Sequence, residues 1–262
     1  MKAKIPALGA TIITAIFLMA SVGCDHPPGK PGFRPATLRP DQVLGFESLY
    51  RTNCSACHGD SGLNGAALPL NNPVYLAWAG HDHMVPIVAS GVSLQTMHAF
   101  ARASGGMLTD QQIESIVNGM IAHWGRPGIL NGANPPGYTA STPGDVAAGK
   151  AAFQVYCARC HGADGTGPAP GAVASARQQV FGSIVDPTYL SLIGNQGLRD
   201  IVVSGLPGEG MPDWRGDGSA KPMTDKEVTD VVAWLRSHRV QFPGQPFPNL
   251  PPVSAKHPTK GN

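Results

Sequence analysis

Two short stretches carry the residue types for covalent or metal chemistry, "CSACHG" from Cys54 and "CARCHG" from Cys157. Each sets two thiols three positions apart and puts an imidazole directly after the second. Paired thiolates are common zinc ligands, but the pairs of a four-thiolate zinc site usually lie about 15–20 residues apart. Here the pairs are separated by 103 positions, and zinc would leave His58 and His161 without a task. A catalytic dithiol belongs in a strand–helix–strand pattern, and the chain shows no such alternation. Covalent haem attachment uses every member of the motif. The thiols add to the two vinyl groups, and positions i, i+3 and i+4 of a helical turn share one face. Cys54, Cys57 and His58, and likewise Cys157, Cys160 and His161, then lie against one ring, with the imidazole placed as proximal iron ligand.

The elements around these motifs repeat as well. A short helical segment precedes each first cysteine and carries an aromatic four residues before it, Tyr50 and Phe153. Further on, "PVYLAWAG" (73–80) aligns with "PTYLSLIG" (187–194), and "IVASG" (87–91) with "IVVSG" (201–205). Six residues beyond each final Gly stands a methionine, Met97 and Met211. The register shifts from 103 at the cysteines to 114 from Pro73 onward, so the second copy carries about eleven more residues in "GTGPAPGAVASARQQ". Each copy closes on an amphipathic helix. Ile113, Ile116, Val117, Met120, Ile121 and Trp124 share one face of the first, and Val228, Val231, Val232 and Leu235 one face of the second. Thr109 with Gln112, and Thr224 with Glu227, have the spacing of capping boxes. Met84 and Met120 fit helix faces, while Met107 and Met223 precede caps and are expected to pack there.

The 262 residues include 33 Gly and 25 Pro, which favours short elements joined by many turns. Aromatics supply only 6% of the chain, a thin apolar core for this length. The net charge of +2 and the absence of a basic stripe speak against nucleic acid as a partner. Residues 1–23 read as an export signal, with Lys2 and Lys4 before the apolar run "ALGATIITAIFLMASVG". Of five cysteines, Cys24 alone stands outside the two motifs, directly after that run. Residues 24–40 read as a Pro/Gly-rich tether, 126–144 as a linker between the copies (41–125 and 145–240), and 241–262 as a Pro-rich tail.

Each copy resembles a small Met/His-ligated cytochrome c domain. "LYRTNCSACHG" and "AAFQVYCARCHG" match its first helix and attachment site, "MPDW" (211–214) its axial-methionine loop, and "LTDQQIESIVNGMIAHW" and "MTDKEVTDVVAWLRSH" its last helix. The resemblance implies an all-α fold of two tandem domains, each a few short helices wrapped round one covalent haem c. It implies one-electron transfer between a donor and an acceptor redox protein, with His58 and Met97 on one iron and His161 and Met211 on the other. The haems would fill the thin core. His98 stands after Met97 where Pro212 follows Met211, which leaves His98, His81 and His83 as alternative ligands in the first copy. "SVGC" around Cys24 resembles a bacterial lipoprotein signal, with Ser21 where a larger aliphatic residue is usual. The implied location is the periplasmic side of a bacterial membrane, on a lipid anchor, in reach of a membrane respiratory complex or dehydrogenase. The competing reading is a dihaem enzyme of peroxidase type with one open iron. No acid–base constellation for it is visible, so no catalytic residue is assigned. A lipid on Cys24 makes a direct prediction. Cys24→Ser should move the holoprotein from the membrane fraction to the soluble periplasm, and continued sedimentation with membranes would contradict it.

Overall fold

The computed structural model describes residues 37–92, 97–167 and 182–240. The export signal, Cys24, most of the tether, the greater part of the inserted Gly/Pro/Ala-rich loop and the Pro-rich tail lie outside the described residues. The first repeat consists of α1 (Phe46–Asn53), a four-residue turn of helix α2 (Ser55–His58), α3 (Pro73–Ser90) and α4 (Asp110–Trp124). The second consists of α5 (Val146–Tyr156), α6 (Ala158–His161), α7 (Pro187–Leu192), α8 (Asn195–Ser204) and α9 (Asp225–Arg236). Among the described residues there is no strand, only the isolated bridges Ala101–Leu108 and Leu206–Met211. The all-α expectation holds.

Local chemistry explains where the helices start. Asn72 and Asp186 each cap a helix whose first residue is proline, the position at which a missing N–H costs nothing. Both capping boxes form: the Thr109 hydroxyl accepts from Gln112 N at 3.2 Å and the Thr224 hydroxyl from Glu227 N at 3.2 Å. In return, the Gln112 and Glu227 side chains accept from the threonine amides. α3 is broken at Gly80, where the aligned segment of the second repeat separates α7 from α8.

In each repeat the first helix crosses the last, α1 on α4 and α5 on α9. A methyl group at Gly119 of α4 would overlap the Phe46 ring, and one at Gly149 of α5 would overlap the Asp230 carbonyl of α9. At the cysteine register Phe46 corresponds to Gly149, and with the capping threonines Thr109 and Thr224 aligned (a shift of 115) Gly119 corresponds to Trp234. The bulky and the small member of the crossing have exchanged helices, so the volume is conserved although neither position is. Trp124 and Trp234 then reach equivalent spots, over Gly62 and Gly165, from different turns of their helices. Trp124 meets Tyr50 edge to face at 5.0 Å between centroids, and Trp234 lies 4.3 Å from Phe153. Met84, Met120 and Met223 are buried as expected. Met107 is not; at 83% exposure it projects from the turn before its cap instead of packing on it.

Residues 126–144, read from composition as a linker, are gripped by both repeats. From the first, Trp78 Nε1 donates to the Pro136 carbonyl at 2.6 Å, and the Tyr138 ring lies against Trp78 and His83 at 5.0 and 4.1 Å. From the second, Arg199 donates to the Gly137 carbonyl through Nε at 2.9 Å and Nη2 at 2.6 Å, and Gln196 Nε2 donates to the Tyr138 carbonyl at 2.8 Å. Arg199 is only 3% exposed and is also held by Thr229 Oγ1 and the Asp225 carboxylate. Such a buried charge is tolerable because every face of the guanidinium has an acceptor.

Asp200 lies at the same seam, 6% exposed. Burial pushes its carboxyl up to about 7, against the opposing pull of the Gln196 amide and Arg199. The folded protein therefore holds this proton more tightly than the unfolded chain, and the stability it contributes is lost as pH rises from near 4 through about 7. Relative to Asp200→Asn, the denaturation midpoint of the native protein should fall across that interval and level off above it. Parallel pH profiles of the two proteins would contradict the assignment.

Candidate functional site

The attachment motifs occupy the same local structure twice. Cys54 (φ −120°, ψ −34°) and Cys157 (φ −119°, ψ −34°) each end one helix and start the next short turn. His58 N donates to the Cys54 carbonyl at 3.0 Å and His161 N to the Cys157 carbonyl at 3.0 Å, which carries one helical turn from the first cysteine to the histidine. The chain then leaves abruptly through Gly59 (φ 81°) and Gly162 (φ 77°), left-handed conformations that favour glycine. A side chain at either would overlap a carbonyl, that of Leu63 or of Gly167. Tyr50, the aromatic four residues before Cys54, donates its hydroxyl to the Gly59 carbonyl at 2.9 Å. Its counterpart Phe153 is fully buried and contributes packing alone.

Burial pushes Cys54 and Cys157 up to about 12, with the neighbouring Cys57 and Cys160 adding to the effect, so both are protonated at neutral pH. No disulfide joins these four cysteines. Among the described residues, no three His, Cys, Asp or Glu side chains come together as a metal site. The zinc reading therefore has no geometry behind it. The imidazoles are held in a form that could serve a metal. Burial lowers the pKa of both His58 and His161, which favours the neutral ring. His58 Nδ1 lies 2.8 Å from the Leu68 carbonyl. Donation from that nitrogen sets the tautomer and leaves Nε2 with its lone pair for a metal. The aligned stretch of the second repeat lies outside the described residues. A helical turn at each motif, thiols without a disulfide and buried neutral imidazoles all suit haem attachment.

The methionine turns also match. Val92 N donates to the Met97 carbonyl at 3.0 Å, and the aligned Leu206 N donates to the Met211 carbonyl at 3.0 Å. Gly91 and Gly205 (φ 69° and 67°) lie so close to these turns that a side chain would stand 2.7 Å from the Met97 or Met211 carbonyl oxygen, and 2.6 Å from the carbonyl carbon of the next residue. His98 and Pro212 therefore follow backbones of the same shape. His98 is exposed and lies on Phe100, ring centroids 4.4 Å apart. His81 Nε2 is 2.6 Å from the Glu114 carboxylate, while His83 Nδ1 is 2.9 Å from the Ala79 carbonyl.

Some functional atoms were invisible to motif reading. The Leu68 carbonyl is a backbone group ten residues from its imidazole, and no side-chain type marks it. Arg199 and Asp200 sit in an ordinary amphipathic segment, and the groups around Arg199, the Gly137 and Tyr138 carbonyls and Thr229, are remote from it in sequence.

The family model for cytochrome c oxidase, cbb3-type, subunit III matches residues 41–118 and again residues 144–235. The chain belongs to this family. Its two haem c groups follow, one for each matched segment. The cbb3-type cytochrome c oxidase subunit FixPc of Rhizobium leguminosarum bv. viciae is 27% identical over 201 residues, covering 72% of this chain and 61% of that protein. Subunit CcoP of Azospirillum sp. (strain B510) is 28% identical over 208 residues, covering 74% and 62%. The chain thus spans about three-fifths of the length of these relatives. A solved chain of the Kuenenia stuttgartiensis reducing HAO-like protein complex superposes with a TM-score of 0.42 at 18% identity, over 79% of this chain and all of that one. Among the described residues, no helix of this cbb3-type subunit III homologue is long and apolar enough to cross a membrane.

If each turn holds its own haem, the two are separable. Replacing Cys157 and Cys160 by Ala should leave one covalent haem per chain after denaturation and acid–organic extraction. An unchanged haem count would overturn the assignment of these cysteines.

Proposed function

We propose that the protein is an electron relay: a dihaem c-type cytochrome that passes single electrons between a redox donor and a membrane respiratory complex. Bound haem iron supplies the redox chemistry by cycling between two oxidation states. The chain's own residues do the rest. Cys54 and Cys57, and Cys157 and Cys160, anchor the rings by thioether bonds. His58 and His161 would each hold an iron through the imidazole, the first of them oriented by the Leu68 carbonyl. Met97 and Met211 would supply the remaining iron ligands, and with both bound neither haem would offer a site to a substrate.

The observation that carries this reading is the matched pair of methionine turns, each with one amide bonded to the methionine carbonyl and one glycine packed behind it. The surroundings of the alternative ligands support it. His81 and His83 bond elsewhere, and His98 is exposed. The names of the relatives, subunits of cbb3-type oxidases, favour an oxidase as the complex served. We also place the protein on the periplasmic face of the membrane, exported by residues 1–23 and held through a lipid on Cys24. A single acyl chain anchors only marginally, so stable attachment at Cys24 needs more than one chain, as in a bacterial lipoprotein.

With both sixth positions filled, the reduced protein should bind no carbon monoxide at neutral pH, and the oxidised protein should show the weak red sulfur-to-iron band from both centres. Met211→Ala should create carbon monoxide binding at one haem per chain, and Met97→Ala at the other. Prompt carbon monoxide binding to the unmodified protein, with sustained peroxide turnover, would overturn the relay in favour of an enzyme.

A further inference from the structure

Asn72 is a first-repeat residue, 1% exposed, and it works in two directions. Its Oδ1 caps α3, accepting from Val74 N at 3.0 Å and Tyr75 N at 3.3 Å. Its Nδ2 crosses the seam and donates to the second repeat's Ser204 and Gly205 carbonyls at 3.2 and 3.1 Å. The Gly205 carbonyl belongs to the same peptide group as Leu206 N, which donates to the Met211 carbonyl at 3.0 Å. One peptide plane thus receives a hydrogen bond from Asn72 on one edge and gives one to the methionine turn on the other. Bonds in series through a buried amide polarise one another and fix its orientation. The Met211 amide closes the loop by donating to the Leu206 carbonyl at 3.1 Å.

The second repeat has Asp186 where the first has Asn72. Asp186 caps α7 by accepting from Tyr189 N at 2.7 Å, and it is exposed. An ionised carboxylate only accepts, so it cannot hold a carbonyl of the other repeat as an amide can. The duplication was therefore broken at one functional group. The cap was kept in both copies, and a donor exists only at position 72.

We propose that Asn72 is a positioning residue for the sixth ligand of the second haem, holding the Gly205–Leu206 peptide and through it the turn that presents Met211. The sulfur-to-iron bond of haem two then depends on the docking of the first repeat, whereas that of haem one has no such support from Asp186. This rests on the reading of Met211 as ligand.

Asn72→Asp keeps the capping oxygen and sets an acceptor against two carbonyls. Asn72→Ser is a milder variant that also keeps a capping oxygen and lacks the amide. In the full-length holoprotein, amide hydrogen exchange at Leu206 should accelerate about tenfold or more in Asn72→Asp, the scale of one lost buried hydrogen bond. Exchange at Val92, its counterpart, should not change. The red band of haem two should disappear at lower pH and its potential should fall, while haem one keeps both properties. Asp186→Asn should leave both haems unaltered. Unchanged Leu206 exchange, or equal losses at both haems, would overturn the proposal. The exchange measurement stands whichever residue binds the iron. Faster Leu206 exchange in a protein that never showed a second red band would uphold the hydrogen-bond relay and count against Met211 as ligand.

Discussion

Two thiols and an imidazole can grip one flat ring only if they leave the backbone in the same direction, and this demand organises each repeat. It requires a helical turn at the motif and an immediate departure of the chain after the histidine, because a continuing helix would follow its own axis past the ring. Gly59 and Gly162 make that departure by closing against the carbonyls of Leu63 and Gly167. Their left-handed backbone is paired with a contact that leaves no room for a methyl group. The helix before the motif is tied to the same point in the first repeat, where Tyr50 bonds the Gly59 carbonyl.

Packing follows from holding that turn in place. The first helix must lie close to the last, and the two repeats solve the same crossing with opposite partners, Phe46 over Gly119 and Gly149 under Asp230 and Trp234. Interiors are packed near crystal density, so the summed volume at a contact is constrained more tightly than the identity of either residue. Duplicated domains can therefore drift apart in sequence at their most tightly packed point while keeping its geometry.

The seam between the repeats is polar and buried together. The carbonyls from Pro136 to Tyr138 accept from Trp78 of the first repeat and from Gln196 and Arg199 of the second, Gln196 also donates to Asp200, and Asn72 crosses to the Ser204 and Gly205 carbonyls. Polar seams of this kind dock in one register, since sliding them would strand buried donors at a cost of about 1–3 kcal/mol each. In the proposed relay, a single docking register would hold the separation of the two haem sites constant.

The sequence by itself determined the two Cys-x-x-Cys-His motifs and their shared setting, the duplication, the all-α class, the capping boxes and the final helices. Each of these depends on spacing along one chain segment, and spacing is preserved in the written order of residues. Met223 could be placed by its neighbours, but Met107 could not, because the turn before its cap faces away from the core. The sequence also could not show that the Leu68 carbonyl orients His58, since every residue has a carbonyl. Nor could it show that 126–144 is clasped, since Pro and Gly are common in free and in bound segments alike. Only the tertiary structure decided that Asn72 serves the second repeat and Asp186 serves only its own helix. The two look like the same N-cap in the sequence, and the difference between an amide that donates and a carboxylate that does not matters only where a carbonyl from the other repeat arrives within reach.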